Sequence, residues 1–323
     1  MRILFSLMLI AAAAWAQTAA FAIVEKKAGQ VGFYTQEGVR LGGGKVGEHP
    51  HEIIFSPDRK LAYVSDNGIL WMQYAGQGGN TISIIDLAAR KRIGVIDLGN
   101  HRRPHGMDID PKSNRMVVTT ENPDGLLLID LASRKLLRAY DVEGEDPHMV
   151  IIEPGGEYAY VSNTSSATVA ALRLSDGHVK LIPTDGRPQG AVFSHDGKTL
   201  YVTNSEGSSI SIIDPVKKER IGRIATGVGP GRVVLTPDGK TLVYNLQAGA
   251  GVGFADVAAR RQTAEIRLPG NPLSLTMSRD GKWAYCGIQD SDKVAIVSIT
   301  GRKLARVFDT PKEAGPDPVL PLD

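Results

Sequence analysis

The stretch RPQGAVFSHDGKTLYVTNSEGSSISIIDPVKKERIGRI, residues 187–224, decides the fold. It opens on Arg187-Pro188, runs through a short apolar segment, and breaks at Ser194-His195-Asp196-Gly197-Lys198, where Asp and Gly favour tight-turn backbone. Tyr201-Val202-Thr203-Asn204 follows, then Ile210-Ser211-Ile212-Ile213-Asp214, then Arg220-Ile221-Gly222-Arg223-Ile224. β-Branched and aromatic residues in short runs, each bounded by Gly, Pro, Asn or Asp, read as four antiparallel strands, here called A to D.

The unit recurs along the chain. HPHEIIFSPDRKLAYVSDNG, RPHGMDIDPKSNRMVVTTENPDG, DPHMVIIEPGGEYAYVSNTSSAT, GPGRVVLTPDGKTLVYNLQAGAG and NPLSLTMSRDGKWAYCGIQDSDK align with it. The six leading prolines are Pro50, Pro104, Pro147, Pro188, Pro230 and Pro272, at intervals of 54, 43, 41, 42 and 42 residues. The long interval has a visible cause, an extra loop at residues 68–79. A period near 42 residues, with several short strands per unit, is the signature of a β-propeller. Counted from Gln17 and without that loop, the chain holds about seven periods. Six blades are complete, and the seventh is split: residues 19–25, 30–35 and 39–46 supply strands B, C and D, and residues 317–322 return as strand A. The expectation is an all-β, seven-bladed propeller of four-stranded antiparallel blades, one domain over residues 17–323, with the ring closed by pairing the two termini. Closure removes the exposed strand edges of an open ring.

Composition narrows the function. The 37 Lys and Arg against 35 Asp and Glu leave a formal charge of +2, and 42% of residues are hydrophobic, the balance of a packed globule and not of a nucleic-acid binder. One cysteine permits neither a disulfide framework nor a cysteine-rich zinc site. Met1-Arg2, an apolar run over residues 3–14 and Ala14-Trp15-Ala16 before Gln17 read as a signal peptide over residues 1–16. Ala20-Phe21-Ala22 offers an alternative cleavage site, which would remove most of the first strand. No later stretch is long and apolar enough to cross a membrane, so the expectation is an exported monomer, periplasmic or secreted. P-loop, dinucleotide, nucleophile-elbow, haem-attachment and EF-hand motifs are absent.

The runs Tyr201-Val202-Thr203-Asn204, Tyr160-Val161-Ser162-Asn163 and Tyr63-Val64-Ser65-Asp66, with Ser-Pro-Asp-type turns before and Ser-Ile-Ile-Asp-type strands after, resemble the YVTN family of β-propeller repeats. The resemblance covers essentially all of residues 17–323 and implies a seven-bladed scaffold used in binding, surface or periplasmic roles and occasionally in chemistry. More distantly, His49-Pro50-His51 and Pro104-His105-Gly106 are similar to blade openings of seven-bladed lactonases of the phosphogluconolactonase type. A fold shared with enzymes does not itself carry activity.

Because the strands alternate in direction, the loops before A and between B and C gather on one face, the mouth of the central channel. Five of the seven histidines fall there: His49, His51, His101, His105 and His148. The residues after the six leading prolines are His51, His105, His148, Gln189, Gly231 and Leu273, expected to ring the channel entrance. Converging imidazoles can hold a divalent metal or act as general bases; they can equally hydrogen-bond a neighbouring blade. His51, His105 and His148, with Glu52 and Glu121, are therefore the candidates for catalysis, the three histidines also for metal, although an acid on a loop is more often simply solvated. The insertion brings Trp71, Met72 and Tyr74 to this face, as one wall of a site or as cover for its own blade. His101, Arg102 and Arg103, with Arg187 and Arg232, suit a small anion. His49, His101, Arg103, Trp71, Tyr74, Gln189 and Arg232 are the candidate ligand contacts. Two functions follow: a scaffold binding a small molecule or a protein on the mouth, or a lactonase-like hydrolase whose histidines and glutamates activate water, with or without a metal. Asp86, Asp130, Asp214 and Asp256 recur before the C–D turns, Tyr63, Tyr160, Tyr201 and Tyr285 recur on strand B, and Cys286 sits in a strand; all read as scaffold.

Overall fold

The computed structural model describes residues 18–323, and in them the repeat becomes seven four-stranded antiparallel sheets. Blade 4 comprises Pro188–Phe193, Leu200–Asn204, Ser209–Asp214 and Glu219–Ala225, paired in that order. Blades 1 to 3, 5 and 6 repeat it around the ring, and the sole helical element among the described residues is the single turn Gln289–Ser291. Blade 7 is closed by the chain ends: strand A, Pro316–Pro321, pairs with strand B, Phe21–Glu25, in the register Phe21 with Pro321 and Ala22 with Leu320. Strands C and D follow as Gln30–Tyr34 and Arg40–Lys45. The proposed signal peptide, residues 1–16, lies outside the described residues.

Strands B and C are buried along nearly their whole length because each blade is covered by neighbours on both faces, which explains their unbroken apolar runs. The core is accordingly partitioned between blades. One cluster joins Tyr63 and Ile82 of blade 1 to Met107 and Leu127 of blade 2; another joins Val24 and Phe33 of blade 7 to Ile53 and Val64 of blade 1. Near the axis the backbones themselves meet. A Cβ on Gly106 would lie 2.4 Å from the carbonyl oxygen of His148 in the next blade, so the glycine of Pro-His-Gly is required by that close approach. Thr119 Oγ1, one strand outward, donates to the same carbonyl at 2.8 Å.

The recurring aspartates close turns as expected. Asp86, Asp130 and Asp256 each accept a backbone N–H three residues on, at 2.8, 2.7 and 2.7 Å, and Asp214 accepts from Val216 and Lys217. Cys286 is fully buried, and burial pushes its thiol up to about 12.

Candidate functional site

The channel mouth is built from the residue that follows each leading proline. The ladder fixes that proline opposite the end of strand B, as in Pro104 with Thr120, Pro147 with Asn163 and Pro188 with Asn204, so the next side chain turns inward near the axis. His51, His105 and His148 are 3%, 4% and 6% exposed. Their rings stack edge to face, with centroids 4.4 Å apart for His51 and His105 and 4.2 Å for His105 and His148. The split blade supplies a seventh member that the repeat pattern missed: Asp317, after Pro316.

A line of hydrogen bonds runs through two of these rings. Ile69 O lies 2.7 Å from His51 Nε2, His51 Nδ1 lies 3.2 Å from His105 Nε2, and His105 Nδ1 lies 2.8 Å from Glu121 Oε1. Glu121 was expected on an exposed loop. It instead ends strand B of blade 2, Arg115–Asn122, because the hairpin to Asp124–Asp130 is nearly loopless. Its side chain is 2% exposed, and Arg103 Nε stands 3.0 Å from its other oxygen. Glu52, the second candidate acid, is also buried and forms an ion pair with Arg232 across the ring.

These contacts argue against the three-histidine metal site. The facing nitrogens of His51 and His105 are engaged with each other and not aimed at a common point, and among the described residues no group of three His, Cys, Asp or Glu side chains has a metal-holding arrangement.

A cavity of about 130 Å³ opens beside the histidines. Lys26, His51, Glu52, His105, His148, Arg187, Gln189, Arg232, Gln247, Leu273 and Asp317 line it, with Leu70, Trp71, Met72 and Gln73 of the insertion. Three cations face two carboxylates, and both carboxylates are already paired: Glu52 with Arg232, and Asp317 with Lys26 at 3.4 Å. Arg187 has no ion-pair partner among the described residues. Two buried nitrogens of lining residues, Arg232 Nη1 and His148 Nδ1, have no hydrogen-bond partner. Burial first, then His105, Arg232, Arg187 and Lys26, hold the His148 ring well below the usual histidine range; burial first, then Lys26 and His105, do the same for His51. Burial likewise lowers Lys26 despite Asp317.

The remaining candidates are placed elsewhere. Arg103 donates to Met72 O at 2.6 Å and its backbone N–H to Gly79 O at 2.7 Å, so it fastens the insertion and does not reach the cavity. His49 Nδ1 faces Lys26 O at 3.4 Å, and His101 lies outside the cavity lining. Trp71 and Met72 line the cavity, whereas Tyr74 lies outside its lining and is 53% exposed. Lys26, Gln247 and Asp317 escaped the sequence reading. The signal for the first two was the position just past the residue paired with the leading proline, equivalent to Glu121 in blade 2. A wider hollow of about 580 Å³ near Trp283 and Asp323 lies on the opposite face, and its lining gathers no comparable set of cations and histidines.

Neither a protein-family model nor a curated protein sequence matches the chain. Solved structures do resemble it. A functionally unknown protein from Desulfotomaculum acetoxidans is similar with a TM-score of 0.77 at 16% identity, covering 94% of this chain and 99% of that one. The periplasmic gluconolactonase PpgL of Pseudomonas aeruginosa is similar with a TM-score of 0.75 at 15% identity, over 94% and 99%. Hydrazine synthase of Kuenenia stuttgartiensis reaches 0.66 at 22% identity, over 77% and 76%. Identities at this level speak for the fold: the chain is a seven-bladed β-propeller whose structural neighbours include a gluconolactonase.

Proposed function

We propose that the mouth binds a small anionic molecule and that the propeller is an exported, YVTN-type scaffold for that site, acting in the periplasm or outside the cell. The observation that carries the reading is the surplus of cationic groups on one cavity: Arg187 has no ion-pair partner among the described residues, and Arg232 keeps Nη1 without an acceptor beyond its pairing with Glu52. Buried donors without acceptors cost on the order of 1–3 kcal/mol each, a cost that an anion's oxygens relieve. Volume limits the ligand. At about 130 Å³ the space suits a small hydroxy acid and not a drug-sized molecule, which needs roughly 300 Å³ or more.

The test is titration calorimetry with a panel of glycolate, glycerate, gluconate and sulfate on the wild type and on Arg187→Gln. Binding by one or more carboxylates is expected, weakened about tenfold or more in the variant, the scale of a charged hydrogen bond. Equal affinity in both proteins would remove Arg187 from the site.

One observation favours a second reading, a lactonase-like hydrolase. His148 lines the cavity, its ring held neutral and its Nδ1 without a hydrogen-bond partner, which suits it to take a proton from a water attacking a lactone carbonyl, with Arg187 and Arg232 beside the oxygen that gains charge. The product of that reaction is a hydroxy-acid anion, the same class of ligand. Turnover of a sugar-lactone panel that disappears in His148→Gln supports it; a wild type that binds the acids and hydrolyses none of the lactones leaves the scaffold.

A further inference from the structure

This inference rests on the anion reading and concerns the regulation of the same site. The line Ile69 O, His51, His105, Glu121 has three links, and both of its ends are acceptors. A peptide carbonyl has no hydrogen to give, and Glu121, ion-paired with Arg103, accepts. Three links therefore need three ring hydrogens, whereas two neutral imidazoles carry only two between them, whichever tautomers they adopt. The line is complete only when the His51–His105 pair holds one additional proton and is, as a pair, a single cation.

The geometry points to a mouth in which anion binding and closure of the insertion loop are coupled to uptake of one proton by the His51–His105 pair. The groups around the pair explain why the anion is needed. Lys26 comes from the end of strand B of blade 7, Arg187 and Arg232 from blades 4 and 5, and His148 packs on His105 from blade 3. Burial first, then Lys26, disfavours a positive charge on His51. On the other side stand Glu121, whose charge Arg103 shares, and Glu52 and Asp317, each already paired. In the empty mouth the pair gives up its additional proton and one link is lost. The link to Ile69 breaks most readily, because its carbonyl belongs to the surface insertion, where it can turn to water, while Glu121 is held inside a hairpin. An anion in the cavity supplies the missing countercharge. The pair then takes a proton from solvent, His51 regains Ile69 O, and the loop bearing Trp71 and Met72 is drawn onto the ligand. No other bond is made or broken.

Calorimetry on the full chain tests this with glycerate, whose carboxylate stays ionised between about pH 5 and 8. Run in two buffers of different ionisation heat, binding is expected to take up close to one proton, with affinity falling by up to about tenfold per pH unit as pH rises. The double variant His51→Gln, His105→Gln is expected to take up none. A second measurement needs no variant: ring-nitrogen chemical shifts of histidine-labelled wild type should show the pair gaining one proton when glycerate is added. Binding with no proton uptake, a flat pH dependence and both rings unchanged overturns the coupling and leaves the anion site standing. Absence of binding by glycerate at every pH, together with no response to the rest of the carboxylate panel, overturns the anion site and the coupling with it.

Discussion

His51 and His148 are buried with their protonation disfavoured, and that has a consequence for stability. An imidazole whose folded value lies below its unfolded one, near 6.5, binds its proton more readily in the unfolded chain. Stability is thus fully present above that pH and is lost as pH falls below it, by up to about 1.4 kcal/mol per pH unit for each ring. Urea unfolding of the ligand-free protein at a series of pH values from neutral to mildly acid should show the decline, and His148→Gln should flatten about half of it. A slope identical in wild type and variant would mean that His148 is not held neutral. His51, His105 and His148 were legible in the sequence because they occupy the same place in three adjacent repeats. Asp317 was not, since its blade is split and its proline stands apart from the other six. Glu121 was misplaced for a different reason: Asn122-Pro123-Asp124-Gly125 reads as a loop, yet the strands on either side pair almost to its tip. Tyr74 shows the limit of spacing in an insertion, where no periodicity says which way a side chain faces.

At the scale of elements, the insertion is held at a narrow neck and by a few side-chain bonds. A Cβ on Gly68 would meet Gly79 N at 2.2 Å, so the two ends of the loop are pressed together, and Gly68 carries a φ of 82° that only glycine adopts freely. Beyond the neck, Arg103 bonds Met72 O and pairs with Glu121, and Arg102 Nη1 reaches Gly78 O at 3.2 Å. Arg103 therefore joins the loop to the histidine line. Arg103→Ala should cost up to about 3 kcal/mol, toward the loss expected when one partner of a buried ion pair is removed, since Glu121 is left with His105 as its remaining close partner. The same change should open residues 68–79 to proteases. Denaturant unfolding and limited proteolysis with mass mapping measure the two effects. A variant within about 0.5 kcal/mol of wild type and equally resistant would show that the loop is held by something other than Arg103.

For the whole molecule, the fold was readable because a propeller writes its architecture many times over: each repeat restates strand order, turn chemistry and the apolar faces that blades bury on one another. The site was only partly readable, because it is made where the copies differ and where the ring closes. That closure rests on one strand. Every residue of Pro316–Pro321 is buried, Val319 belongs to the core shared by blades 6 and 7, and Val319 O accepts from Thr276 Oγ1 at 2.6 Å. Deleting residues 316–323 would bare the edge of Phe21–Glu25, itself fully buried, and uncover the faces of two blades; it would also strip Lys26 of Asp317 at the mouth. Conformational cost is paid along the entire ring, and removal of the joining strand withdraws the contacts that make unfolding a single event. The truncated chain is expected to lose its cooperative thermal transition and to associate through the bared edge, as followed by calorimetry and size-exclusion chromatography. Because the lesion is a missing strand and not a damaged core, a synthetic peptide of residues 314–323 added in excess should restore part of the transition by pairing with Phe21–Glu25. A monomeric truncation that melts like the full chain would show instead that the six complete blades hold the ring without this strand.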